Sequence, residues 1–76
     1  MTKLDAARII FIELSLTLGF DRTYIDPILS ALSEEKLFNI IKWSVRVFEE
    51  TGELPKMYEF SNRVAGDLFE KARVER

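Results

Sequence analysis

Apolar residues recur along this chain at three- and four-residue steps, and Gly19, Pro27, Gly52 and Pro55 stand between the periodic stretches. Glycine ends helices in the left-handed conformation, and proline opens them at the first helical position. The pattern predicts an all-α bundle of four helices, over residues 3–18, 27–32, 34–51 and 56–73, with the second one short. Asp26 reads as the N-cap of a helix beginning at Pro27. Ser33 reads as the next cap, followed by Glu34 and Glu35 where the helix dipole favours acids.

One stretch is ambiguous. Ile12, Leu14, Leu16 and Leu18 alternate with Glu13, Ser15 and Thr17, which is the period-two pattern of a half-buried strand over residues 9–18. No other segment alternates in this way, so the strand would need its counterpart in a second copy, as in ribbon-helix-helix dimers. The length of the segment, its alanines and the glycine stop favour a helix.

The helical faces carry more apolar surface than one small core requires. In the third helix Leu37, Ile40, Ile41, Ser44 and Phe48 share a face. Phe38 and Val45 flank it on one side, Trp43 and Val47 on the other. At 100° per residue this makes an apolar arc roughly 220° wide, where a surface helix typically shows a little over 100°. The first helix carries two stripes: Ala7, Ile10, Phe11, Leu14 and Leu18 for the core, and Ile9, Ile12, Leu16 and Phe20 on the other side. The surplus predicts a homodimer, docking on a larger protein, or both. Ile9, Ile12, Leu16, Phe38, Trp43 and Val47 are the expected contacts. Trp43 and Val47 are the expected anchors, because tryptophan often dominates interfaces.

Composition narrows the chemistry. Seventy-six residues make a single domain, 1–76, that buries only about 60–65% of its unfolded surface, yet 47% of the residues are apolar. Eleven bases against thirteen acids leave a net charge of −2, which exerts no general pull toward nucleic acid or an anionic membrane. The absence of cysteine means that packing alone holds the fold and suggests a reducing, cytoplasmic setting. Without histidine or cysteine, most zinc, haem, iron–sulfur and nucleophile–histidine sites cannot be built. Phosphate-binding glycine loops and G-x-S-x-G are missing too. Residues 9–20, the most apolar stretch, are too few for a bilayer span and contain Glu13. The expectation is a non-catalytic adaptor, assembly subunit or protein inhibitor, with no cofactor, metal, small-molecule ligand or membrane partner.

A DNA-binding regulator is the alternative. Gly52 to Ser61 follow the pattern G-x-L-P-x-x-x-x-F-S, which resembles the lead-in to the DNA-reading unit of GntR-type winged-helix repressors. The resemblance implies a helix-turn-helix turning at Gly66, with Lys56, Arg63, Lys71 and Arg73 available to phosphates. It spans ten residues and ends there, since Asp67 stands where an apolar residue normally follows the glycine. Met57, Phe60, Val64, Leu68 and Ala72 keep one stripe straight through Gly66, and Glu59, Arg63, Asp67 and Lys71 alternate in sign opposite it. That unbroken phase predicts one continuous helix with Gly66 on its polar side.

Overall fold

Side-chain caps set where the helices begin. Thr2 and Asp5 form a reciprocal capping box, Asp21 accepts the Tyr24 N–H, and Ser33 accepts the Lys36 N–H at 3.2 Å. After buried Pro55, the Lys56 N–H donates to the Glu59 carboxylate at 3.2 Å. Each such bond satisfies a donor that the helix itself leaves free. The resulting elements in the computed structural model are α1 (Lys3–Thr17), α2 (Arg22–Ala31), α3 (Glu34–Thr51) and α4 (Met57–Val74). The structure describes the backbone of residues 1–74 and the side chains of residues 1–66. There is no strand among the described residues.

Residues 9–18 are therefore not a strand, and the ribbon-helix-helix reading loses its basis. The end of α1 explains why. Gly19 turns left-handed at φ 105°, its N–H donates to the Leu16 carbonyl, and the Phe20 N–H donates to the Ser15 carbonyl, both at 3.0 Å. This Schellman arrangement satisfies the free carbonyls within the chain. A lone strand would have left both of its edges unpaired.

α2 differs from expectation. It starts at Arg22 rather than Pro27, with Asp21 as its cap and Pro27 inside it. Pro27, the sixth residue of the helix, has no N–H for the Thr23 carbonyl, so α2 gives up one internal bond there. Burial of Ile25, the Arg22–Asp26 ion pair at 3.1 Å and the Asp21 cap offset that loss.

The groove-lining residues of α1 and α3 advance together, with Lys3 and Ala6 beside Phe38, and Leu14 beside Phe48. These two helices run parallel, and α2 carries the chain back between them. α4 runs antiparallel to α3, since Arg63 lies over Trp43 while the chain turns between Gly52 and Lys56. Ala7, Phe11, Ile25, Leu37, Ile40, Phe60 and Val64 form the core. Burying a large apolar side chain stabilises by about 1.5–3 kcal/mol. Phe60 is the joint of this core, with its ring 5.6 Å from Phe11 and 5.8 Å from Phe20, which in turn stacks on Tyr24 at 4.8 Å. Phe20, expected to need cover from outside, is covered here.

α4 continues through Gly66, so the helix-turn-helix turn does not form at that point. A Cβ built on Gly66 would meet nothing within 4 Å. Close approach of another part of the chain is not what that glycine serves.

Candidate docking groove

The site follows from where α1 and α3 place their small residues. α1 buries Ala7, Phe11 and Ser15, and α3 buries Leu37, Ile40 and Ser44. The Ser44 hydroxyl donates to the Ile40 carbonyl at 2.9 Å; the Ser15 hydroxyl is buried with no hydrogen bond among the described residues. Serine adds little volume to a buried line, and helix separation follows the side chains at the contact. Beside that line Ile10, Leu14, Ile41, Val45 and Phe48 border an open cleft.

Two of those neighbours overturn an expectation. Ile10 and Phe48, both assigned to core stripes, are 49% and 51% exposed. Ile10 is rotated about 100° from Phe11 on α1, whereas Phe48 follows Ser44 by one turn near the end of α3, and both border the cleft between α1 and α3. Val45, 50% exposed, and Leu54, 40% exposed, border the same cleft, and Leu14, Ile41 and Ser44 complete its lining. Its volume is about 300 Å³. A second hollow of about 230 Å³, lined by Lys3, Ala6, Ala7, Ile10, Phe38 and Ile41, continues it toward the start of both helices. The two share Ile10 and Ile41 and make one apolar strip.

Charges border the strip. Lys42, Arg46 and Glu49 line the outer side of α3 beside Ile41 and Val45. On α1, Lys3 lies at the start of the strip, and Glu13 falls one turn beyond Ile10. Glu13, Lys42 and Arg46 make no ion pair among the described residues.

The six expected contact residues do not share one surface. Phe38 lines the strip. Ile12 and Trp43 are half-buried against the core, and Val47 is half-buried on the Trp43 side of α3. The Arg63 guanidinium lies 5.6 Å from the Trp43 ring centre, a cation–π contact of about 0.5–1 kcal/mol. Ile9 and Leu16 are exposed but sit across α1 from Ile10. Sequence reasoning missed Leu54. Its only signal was a lone apolar residue in the Gly52–Pro55 turn.

Of the bases in the DNA-binding alternative, Lys56 is exposed and Arg63 is engaged with Trp43. The side chains of Lys71 and Arg73 lie outside the described residues. No group of three metal-ligating side chains occurs among the described residues, and no helix there is long and apolar enough to cross a membrane. Among the described residues the Asp21 carboxyl is held below its ordinary value by the Thr23 hydroxyl, with help from the Tyr24 N–H. That is cap chemistry, remote from the strip. Comparison with protein-family models, curated proteins and solved structures finds no match.

Proposed function

We propose that this chain is a non-catalytic protein-docking module, serving as an adaptor, assembly subunit or protein inhibitor, and that its contact surface is the strip between α1 and α3. One observation carries the reading. Ile10, Val45, Phe48 and Leu54, each about half exposed, converge on one hollow instead of scattering over the surface. Isolated exposed apolar residues are ordinary, whereas a contiguous patch with a charged border marks an interaction site. A helix laid into such a groove buries apolar positions along one face.

Magnitude sets the kind of contact. Each half-exposed side chain retains roughly half of the 1.5–3 kcal/mol that full burial supplies. A symmetric pair of strips then holds roughly 6–12 kcal/mol gross, against an association cost of about 4–15 kcal/mol. Contacts at this surface are therefore reversible.

A photo-crosslinking residue at Val45, with one at exposed Asn62 as the control, tests the proposal in the host cell. Adducts are expected from position 45 and not from position 62. No adduct at 45, or equal adducts at both, would overturn it.

A further inference from the structure

We infer that the occupant of the strip is the same strip of a second copy, related by a two-fold axis running along the groove. This rests on the docking reading above and goes further by naming the partner. Because α1 and α3 run parallel, such an axis sets α1 of one chain against α3 of the other, pointing the same way.

The charges along the two helices then match. Along α1 the border reads basic and then acidic, from Lys3 to Glu13. Along α3 the lined border is basic at Lys42 and Arg46 and acidic at Glu49 beyond them, and Glu35, seven residues before Lys42, falls on the same side about two turns earlier. Ile10 lies level with Ile41 and Val45, which places Glu13 at the height of Arg46 and Lys3 at the height of Glu35. Lys3 and Glu13, the α1 charges on the border, therefore each face an opposite charge on the partner. Complementary borders of this kind fix register and select the partner.

Sedimentation equilibrium of the purified chain tests the inference, with circular dichroism confirming that each variant is folded. A reversible dimer is expected for the unmodified chain, and Val45→Asp should weaken it at least about thirtyfold. Glu13→Lys and Arg46→Glu should each weaken it about three- to tenfold, and the double variant should return to within about twofold of the original. These positions are exposed, so the fold is not at stake. A double variant weaker than either single would overturn the proposed axis. A purified chain that stays monomeric at high concentration would overturn self-pairing. If position 45 still crosslinks to a different protein in that case, the docking reading stands without it.

Discussion

On one flank of α3, Trp43 is half-buried against the core, with Arg63 of α4 over its ring; on the other, Val45 and Phe48 are about half exposed beside α1. The two flanks are equally apolar in sequence. They differ in what lies against them. α4 runs along the Trp43 side, while the opposite side ends in the cleft with α1, where small Ala7, Ser15 and Ser44 are buried beside Phe11, Leu37 and Ile40. Apolar character alone thus does not decide burial on a helix that is greasy most of the way round. The position of the neighbouring helix does.

Phe60→Ala should break this contrast most severely, because the ring joins Phe11 and Phe20 and is buried. A loss of about 3–5 kcal/mol in denaturant unfolding is expected. A more direct comparison pairs Trp43→Ala with Phe48→Ala. The first should cost about 1–3 kcal/mol and leave association intact; the second should cost about 1 kcal/mol or less and weaken association. Equal destabilisation by the two, read in the same unfolding experiment, would erase the distinction between the flanks.

Smaller effects test the element ends that hold the flanks in place. Gly52 sits at φ 77° in open space, so Gly52→Ala should cost about 1 kcal/mol through backbone strain alone. Gly66→Ala, in a helix interior with nothing near its Cβ, should instead stabilise by up to about 1 kcal/mol. Opposite signs in thermal melts are the expected result. The smallest effect concerns pH. Asp21 has a carboxyl held below its ordinary value in the folded chain, so its contribution is complete above the unfolded value and lost as pH falls through the folded one. Stability should therefore decline on acidification below about pH 4, and Asp21→Asn should flatten that limb in melts recorded across it.

Local signals in the sequence located most of the fold. Ser33 and Gly52 bracket α3 at the boundaries read from the chain, and Gly19 ends α1 in the expected left-handed turn. α2 was misread because Pro27 is a strong signal for a helix start, whereas Asp21 gains its meaning as a cap only once Ile25 is buried and Tyr24 stacks on Phe20. The surplus of apolar surface was also legible, from the arc on α3 and the double stripe on α1. Its location was not. Ile10 and Phe48 fit the helical period of a core position as well as Phe11 and Ile40 do, and only the packing of α4 and the placement of Ser15 and Ser44 separate them.

The Phe60 junction also bears on how the chain reaches its final state. Its rings bring together positions about fifty and forty residues apart, contacts that close after the local ones within each helix. Synthesis delivers α4 after α1, α2 and α3, so the sides of Phe11, Phe20 and Trp43 that α4 covers stay bare until residues 60 and 63 emerge from the ribosome. A premature stop anywhere before that point leaves the α4-facing side of the core bare in addition to the cleft between α1 and α3, and such a fragment should clump.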